Sequence, residues 1–248
     1  GGIRFVRWFL LCDGRAGIHF NRAGTPLGTD ERLFADIDAA LEIAAEADLK
    51  IIFVLLDFLW FAKAETIRGV QVHDRRQVVA KPYKQRALLR RVIRPILMRY
   101  GRSREILAWD IVNEPEWATR GFGGNAVPFL SMRRFIRKTA RLVHRCTGQL
   151  ATVGLGNAAG LPLVRFIGLD FYQVHWYDRW QEKAPLERPV SELRLDRPLL
   201  LGEFPTRNSA RPAAAIAATA RESGYCGALA WSLLATDRSS AYHTDQIS

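Results

Sequence analysis

Strand-like and helix-like stretches alternate along the whole chain of 248 residues, and this alternation restricts the fold more than any other feature of the sequence. Runs such as "IIFVLL" and "PLLLGEF" are apolar at almost every position, which is typical of strands buried on both faces of a parallel sheet. Between such runs, apolar residues recur at every third and fourth position, as in "ERLFADIDAALEIAAEAD", where Asp30 is the expected N-cap. The pattern predicts an α/β fold whose parallel strands are joined by helical crossovers.

The strand-like runs number seven, which fits either an open doubly wound sheet or a barrel with one strand unaccounted for. In chain order they are GIRFVRWFLL, KIIFVLLD, EILAWDIVN, LATVGLG, IGLDFYQVHWY, PLLLGEF and GALAWSLL. Helices are predicted around residues 82–100, 128–146, 185–194 and 212–223. The length suits one (β/α)8 barrel, and no linker or shift in composition divides the chain, so we expect a single domain over residues 1–248.

The net charge of +11 admits two interpretations. Such an excess marks proteins that bind nucleic acid or another anionic polymer, or it reflects arginines on a solvated helical exterior. The second interpretation is favoured because the arginines are spread through the chain, and the densest stretch, "KPYKQRALLRRVIRPILMRYGRSR", has the pattern of a helix with its cationic face in water. No apolar run reaches the roughly 18 residues that a membrane span needs. We therefore expect neither nucleic acid nor a membrane as a partner.

The cysteines and histidines form no metal-binding or disulfide pattern. None of the three cysteines, Cys12, Cys146 and Cys226, lies in a CxxC motif. Two of them lie among strand-like residues, so we expect buried thiols, with one disulfide as the alternative. Four histidines have no paired spacing with acidic residues or cysteines: His19, His73, His144 and His243. We expect no metal and no other cofactor. The first ten residues contain no signal peptide.

Polar side chains recur where the predicted strands end. They are Arg7, Asp57, Asn113, Glu114, His175, Tyr177, Glu203, Trp231 and Ser232. In parallel α/β folds the carboxyl ends of the strands meet at one edge, where active sites form. Burial of unpaired polar groups is costly, so their repetition on several strands predicts one convergent polar site.

Two glutamates, Glu114 and Glu203, each follow a strongly apolar strand. A pair of carboxyl groups is the minimal machinery for hydrolysing a glycosidic bond, since one must donate and then accept a proton while the other attacks or activates water. Arg7 and His175 would supply positive charge that separates the two pKa values. Because Asn113 and Glu114 are adjacent, both reach one site only if the strand ends there in a bulge or break.

Five segments carry a resemblance to a known family. They are "WDIVNEPEW", "YQVHWY", "LLLGEFPT", "GALAWSLL" and "FVRWF". The family is the clan A glycoside hydrolases, and the resemblance is strongest to family 5, of the cellulase and β-mannanase type. The first four segments resemble, in that order, its signatures for strands four, six, seven and eight, and "FVRWF" resembles its strand-two arginine motif. The Asn-Glu-Pro motif alone is weak, but it is followed in the right order by His-x-Tyr and Gly-Glu-Phe. The resemblance implies a TIM-type (β/α)8 barrel of which this chain lacks the first strand with its helix and the last helix. It leaves open whether a partner chain supplies the first strand.

The resemblance also implies the roles of individual residues. Glu114 would be the acid/base and Glu203 the nucleophile of a retaining double displacement, and Asn113 would hold the sugar 2-hydroxyl. Many relatives carry a histidine just after strand three, where this chain has Asp57. That departure leaves the proposed catalytic pair intact.

The remaining roles concern the surroundings of the two acids. By the same resemblance, Arg7 and Tyr177 would contact the nucleophile, and His175 would belong to the same network. Trp231 would be the floor under the sugar at the cleavage point, and the peptide bond to Ser232 is expected to be cis.

Aromatic residues and extra acids near the strand ends have more than one interpretation. Trp60, Trp117, Trp176 and Trp180 are either sugar-stacking platforms or core anchors, with Trp60 and Trp117 taken as substrate-binding candidates, whereas Trp8 and Trp109 are expected to pack inside. Asp110 is expected to be a buried network partner. Glu116 is expected to cap the next segment or to contact a remote sugar.

The sequence therefore predicts a retaining β-glycoside hydrolase that acts on a mannan- or glucan-type poly- or oligosaccharide. The alternative is a carbohydrate-binding or scaffold protein on a truncated, inactive glycosidase fold. A third hypothesis is a protein that binds an anionic polymer through its arginine surface. The resemblance slightly favours a secreted protein.

Overall fold

The described part of the computed structural model comprises residues 3–67, 69–72, 74–122, 124, 126–232 and 238–240, and parallel strands form its centre. The strands are β1 (Phe5–Phe9), β2 (Lys50–Asp57), β3 (Ile106–Asn113), β4 (Leu150–Thr152), β5 (Gly154–Leu155), β6 (Tyr172–His175), β7 (Leu199–Pro205) and β8 (Ala228–Trp231). One parallel sheet has the order β1-β2-β3-β4 and a second has the order β8-β7-β6-β5. Only Val153 separates β4 from β5, so the two sheets continue into one wall with seven strand positions.

The wall has two outer edges, β1 and β8. In the described residues, neither edge strand has a second hydrogen-bonded neighbour. A cavity of about 550 Å³ lies between them and is lined mainly by apolar residues of both strands and of the helix at Ala213–Glu222. The predicted barrel with one strand position unfilled corresponds to this arrangement.

The core lies between the strands and the crossover helices. Every residue from Ile51 to Leu56 in β2 is at most 1% exposed, which confirms that the run "IIFVLL" is covered on both faces. The register of β2 and β3 places Asp57 beside Asn113 at the carboxyl ends of the two strands. The apolar packing of the strands thus fixes the position along the strand axis at which the polar side chains follow.

The helices surround the strands in chain order. They are α1 (Leu33–Glu46), α2 (Arg76–Ala80), α3 (Pro82–Leu88), α4 (Arg94–Tyr100), α5 (Phe129–Cys146), α6 (Leu161–Val164) and α7 (Ala213–Glu222). A π-helical turn, Leu89–Ile93, joins α3 to α4, so the helix predicted at residues 82–100 is present in three pieces. The N-cap of α1 is Arg32 rather than the predicted Asp30, but the Asp30 side chain accepts hydrogen bonds from the backbone N–H groups of Arg32 and Leu33 and so satisfies donors at the start of the helix.

The prediction of a helix around residues 185–194 is wrong. Only a 3-10 turn, Val190–Leu193, forms there. Pro185 and Pro189 cannot donate backbone hydrogen bonds, and Pro189 is extended, so an α-helix cannot continue through them. The helix predicted at residues 212–223 is confirmed, and it ends before Gly224, which has a positive φ of 91°.

Two antiparallel hairpins lie outside the predicted strands and helices. Ile18–Phe20 pairs with Pro26–Thr29, and Glu65–Ile67 pairs with Val70–Val72. Further 3-10 turns lie at Phe58–Phe61, Pro115–Trp117, Ala158–Gly160 and Asp178–Trp180. Across the described ranges, no helix is both long and apolar enough to cross a membrane.

The cysteines correct another expectation. All three are free, and Cys12 and Cys226 are exposed rather than buried. Cys226 lies two residues before the edge strand β8, where fewer elements cover the chain than at the centre of the wall.

Candidate active site

Polar side chains from several strands meet at one end of the wall. β1 contributes Arg7, β6 ends in His175, and β7 contributes Glu203, while Glu114 directly follows β3. One ligand-type atom from each of Glu114, His175 and Glu203 lies within 4.8 Å of the other two. The structure therefore brings the two glutamates together from opposite parts of the sequence.

The backbone at Glu114 explains how two adjacent residues reach one site. Glu114 has left-handed backbone angles, φ 45° and ψ 49°, which non-glycine residues adopt rarely. This ends β3 and turns the Glu114 side chain toward the site that Asn113 also faces. The expected break in the strand is confirmed.

Arg7 is the positive centre of the site. Its side chain is 5% exposed, and its guanidinium donates to Asp110 (2.9 Å), to the side-chain oxygen Oδ1 of Asn113 (2.6 Å) and to Glu203 (3.4 Å). Burial lowers the pKa of Arg7, but the charges of Asp110 and Glu203 outweigh it and raise the pKa above its ordinary value. Arg7 thus stays charged and fixes three side chains at once.

His175 links the two glutamates. Its Nδ1 is 2.7 Å from Oε1 of Glu114 and 3.5 Å from Oε2 of Glu203. Burial lowers the pKa of His175, yet the carboxylates of Glu203 and Glu114 raise it above 6.5 overall. Burial likewise raises the pKa of Glu114, but the hydrogen bond and charge of His175 leave it below the ordinary value. A proton at this pair therefore resides mainly on His175.

Glu203 and Asn113 are each held from two sides. The Tyr177 hydroxyl donates to Oε1 of Glu203, whose other oxygen faces Arg7. The Asn113 side-chain N–H donates to Asp57 at 2.8 Å, so the direction of the amide is set by a donor, Arg7, and an acceptor, Asp57. Burial raises the pKa of Asp57 to about 6.

The sequence predicts Asp57 as part of the polar site without a stated partner, whereas it does not predict Gly154 as a site residue. In the sequence Asp57 stands out only as a polar strand end, and its signal is the position beside Asn113 in a parallel pair. Gly154 has close neighbours, because a Cβ there would lie 2.6 Å from Nη2 of Arg7 and 2.9 Å from Nε2 of His175. The signal in the sequence is a glycine inside the strand-like run "LATVGLG", where it begins β5.

The neighbouring acids have structural partners. Asp110 is fully buried and accepts from Arg7, Gly154 N–H and Gln173, which confirms it as a network partner. Glu116 neither caps the segment after it nor reaches solvent, since it is 4% exposed and its Oε1 accepts from the backbone N–H of Gly156 at 2.6 Å. Burial raises the pKa of Glu116 to about 7.

The prediction that Trp60 binds substrate is wrong. It is fully buried, its indole N–H donates to the Leu11 carbonyl at 3.0 Å, and its ring packs against Phe20. The hairpin that follows β1 covers this side chain, so Trp60 belongs to the core. Trp176 is also buried, at 3% exposure.

Trp117 and Trp180 are both half-buried. The ring of Trp117 packs against Trp180 with 5.9 Å between centroids. Trp117 lines a cleft of about 490 Å³ together with Phe61, Arg179 and Glu114. This cleft leads directly to one of the two glutamates and offers an aromatic wall.

The other three tryptophans differ in exposure. Trp231 is half-buried, borders the same cavity as Arg7 and Glu203, and forms a cis peptide bond with Ser232, as the resemblance implies. Trp109 is fully buried as predicted, but Trp8 is 45% exposed, because it lies on the edge strand β1.

A metal ion is not favoured by the charges. Glu114, His175 and Glu203 have the spacing of a ligand set, but the buried cation Arg7 lies 3.4 Å from Glu203 and would repel another positive charge. Among the other histidines, His144 contacts Asp170 and His19 contacts Glu31. His73 and His243 lie outside the described residues.

Known proteins resemble this chain in sequence and in structure. No protein-family model matches it. A mannan endo-1,4-beta-mannosidase from Mytilus edulis is 27% identical over 274 residues, which cover 92% of this chain and 72% of that protein. The solved β-mannanase of the same mussel superposes with a TM-score of 0.80 at 25% identity, covering 98% of this chain and 78% of the other. An endo-1,4-beta-mannanase from Eisenia fetida gives a TM-score of 0.78 at 22% identity, covering 95% and 75%.

Proposed function

We propose that this chain, which is a clan A glycoside hydrolase most similar to family 5 with a TIM-type barrel fold, cleaves β-1,4-linked mannan within the polymer by a retaining double displacement. The observation that carries the proposal is the closeness of Glu114 and Glu203, with one oxygen of each within 4.8 Å. Retaining enzymes have carboxyl groups about 5 to 5.5 Å apart, whereas inverting enzymes need about 6.5 to 9.5 Å to admit a water molecule.

In the first step, Glu203 attacks the anomeric carbon and forms a glycosyl–enzyme ester, while the bond to the leaving oxygen breaks. Arg7 and the Tyr177 hydroxyl hold the Glu203 carboxylate from two sides, which fixes the direction of the attack. Glu114 gives the leaving oxygen its proton, so the departing chain leaves as an alcohol.

The proton for this step is shared with His175. A general acid usually has a raised pKa, but the pKa of Glu114 is lowered, so Glu114 alone is a poor proton store. His175, whose pKa is raised, is hydrogen-bonded to Glu114 over 2.7 Å and supplies the proton along this contact. The reactive form of the pair carries one proton in total.

In the second step, Glu114 takes a proton from water, and the resulting hydroxide attacks the anomeric carbon. The ester bond to Glu203 breaks and its carboxylate is regenerated. Two inversions at the same carbon give net retention of configuration.

The choice of mannan rests on the mussel and earthworm proteins and on the position of Asn113. Mannose differs from glucose in the configuration at C2, and the Asn113 amide is the group proposed to contact the 2-hydroxyl. Its direction is locked by Arg7 and Asp57, so it presents one donor geometry to the sugar. A site with a fixed donor discriminates against a hydroxyl placed elsewhere. The cleft beside Trp117 would hold further sugar units.

The test is hydrolysis of β-1,4-mannan, β-1,4-glucan and xylan by the wild-type chain and by Glu203→Gln, with Glu192→Gln as the matched control on an exposed carboxylate. We expect the wild type and the control to release mannooligosaccharides of several lengths, and Glu203→Gln to release none. Product that is initially of inverted configuration, or mannan cleavage by Glu203→Gln at the wild-type rate, would contradict the mechanism. Faster cleavage of glucan than of mannan would contradict the substrate.

A further inference from the structure

Basic residues occur throughout the chain, but their excess over acidic residues lies in one continuous part of it. Residues 75–169 contain 19 Lys and Arg but only four Asp and Glu, a net charge of +15. The other 153 residues contain 17 basic and 21 acidic residues, a net charge of −4. Three of the four acids in the basic segment are Asp110, Glu114 and Glu116, which belong to the site or lie beside it. Only Glu105 is left to balance the exterior.

The structure gathers these charges on one side of the molecule. The crossover helices α2 to α4 and α5 come from the basic segment, and both α2 and α4 pack against α5. Their solvent-facing cations form a surface that we call the basic flank. It consists of the exposed side chains Lys81, Arg86, Arg90, Arg91, Arg94, Arg102, Arg104, Arg137, Lys138, Arg141 and Arg145.

These charges have no carboxylate partners in the described ranges. Two further exposed arginines of the same helices do have carboxylate partners and are not counted in the basic flank: Arg76 pairs with Asp74, and Arg99 pairs with Asp38. Outside the basic segment some arginines do have acidic partners, as the exposed Arg188 has Glu192 and the half-buried Arg211 has Glu187. The basic flank is therefore a local excess of positive charge in a chain whose other residues carry a net charge of −4.

The spacing of the arginines opposes helix stability. Arg86, Arg90 and Arg94 recur at intervals of four, and so do Arg137 and Arg141 in α5. Like charges four residues apart on a helix destabilise it by about 0.2–0.5 kcal/mol for each pair. An anion bound across such a row of arginines attracts each of them and so offsets the repulsion between them.

We propose that the basic flank binds an anionic polysaccharide that carries carboxylate or sulfate groups. The helical run from Pro82 to Tyr100 is 19 residues long, so it extends over about 28 Å, enough for several repeating units of a linear polymer. Guanidinium groups bind carboxylate and sulfate with paired hydrogen bonds. The enzyme would thereby be held on acidic polymer that is mixed with its neutral substrate.

Single-stranded nucleic acid fits the same surface less well. Proteins that bind single strands place aromatic rings among their cations so that bases can stack. On the described part of the basic flank, Tyr83 is the large aromatic side chain that is exposed, at 59%. None of the flank cations takes part in the network around Glu114 and Glu203, so binding and hydrolysis should be separable.

The test measures binding of the intact chain to polygalacturonate, with neutral dextran as the uncharged polymer and duplex DNA as the competing polyanion. The flank variant is Arg90→Glu/Arg94→Glu/Arg141→Glu, and the matched control is Arg197→Glu/Arg207→Glu/Arg221→Glu, which changes the net charge equally. At about 50 mM salt we expect the flank variant to lose at least tenfold in affinity and the control less than threefold. Binding should weaken steeply as salt rises, and dextran should not bind.

Three results would overturn the proposal: equal losses in the two triple variants, no loss in the flank variant, or tighter binding of DNA than of polygalacturonate at equal salt. The melting temperature of each variant shows whether it is folded. If the charge-reversed flank variant does not fold, Arg90→Gln/Arg94→Gln/Arg141→Gln replaces it, with an expected loss of at least threefold. A smaller loss in that folded variant also contradicts the proposal.

Discussion

Arg7 and Arg90 carry the same charge in opposite surroundings. Arg7 is buried and has Asp110, Glu203 and the side-chain oxygen of Asn113 within hydrogen-bonding distance. Arg90 is exposed, and the residues four before and four after it are also arginines. Inside the wall a charge persists only when it is compensated, whereas on the surface water screens it. The two regions show that the location of an arginine decides its role, while composition alone records only an excess.

The difference also separates two kinds of function. At the catalytic end of the wall, each buried charge has partners of opposite charge or hydrogen-bonding partners. These contacts fix the positions of the reacting groups within a few tenths of an ångström. The basic flank leaves its charges uncompensated, so they remain available to a partner. Substitutions in the first region should therefore have large effects on the isolated protein, and substitutions in the second should have small ones.

The largest contrast is expected for Arg7→Met against Arg90→Met. Removal of Arg7 leaves the buried carboxylates of Asp110 and Glu203 without their cation, which typically costs about 3–5 kcal/mol of unfolding free energy. Arg90→Met should change it by less than about 0.5 kcal/mol. Urea denaturation of both variants measures the difference. Similar values for the two would break the comparison.

Glu116→Gln should produce the next largest effect, and it depends on pH. Burial, with the nearby Glu114 charge, raises the pKa of Glu116 from 4.5 to about 7, so the folded state binds its proton more tightly than the unfolded state. The wild type should thus lose stability as the pH rises from 4.5 through 7, by about 3 kcal/mol from this group. Glutamine mimics the protonated form and removes this part of the loss. Glu114 and His175 titrate in both proteins, so their contributions largely cancel.

Unfolding free energies of the wild type and Glu116→Gln, measured between pH 4.5 and 8, provide the check. Glu192→Gln is the control, because that carboxylate is exposed and lies in a surface ion pair. A constant difference between wild type and Glu116→Gln over the whole range would show that the carboxyl group does not titrate as inferred.

Gly154→Ala ranks third. The added Cβ would meet Arg7, His175 and Asp110 at 2.6, 2.9 and 3.0 Å, so these side chains must shift. Overpacking of this kind costs about 1–3 kcal/mol, and the displaced Arg7 should also reduce kcat on mannan. Gly148→Ala is the matched control, since nothing lies within 4 Å of the methyl group that it would add and its φ is not positive. Thermal unfolding and kcat are measured for both variants. Equal melting temperatures and equal kcat values for Gly154→Ala and Gly148→Ala would contradict the expectation.

These residues also mark what could be predicted from the sequence. Local patterns identify the buried strand "IIFVLL" and the polar residues that follow the strands, because apolar periodicity and strand ends are local properties. Trp60 follows a strand in the same way as Trp117, yet a hairpin distant in sequence buries it. The contacts of Gly154 depend on residues 147 positions earlier and 21 positions later, which no local pattern contains. The protonation of Glu116 depends likewise on the fold around it.

The smallest effect, and the one that tests the basic flank in the isolated protein, is a pair of substitutions with opposite signs. Arg137 has Arg133 and Arg141 four residues away on either side in α5, whereas Arg188 contacts Glu192 at 3.2 Å. Arg137→Gln should therefore stabilise the protein by a few tenths of a kcal/mol at low salt, and Arg188→Gln should destabilise it by a similar amount. Glutamine has nearly the helix propensity of arginine, so charge is the main variable. Both changes should fade at about 1 M salt, where screening acts within roughly 3 Å. If Arg137→Gln destabilised the protein at low salt, the flank charges would have partners in solution, and their availability to a polysaccharide would be lost.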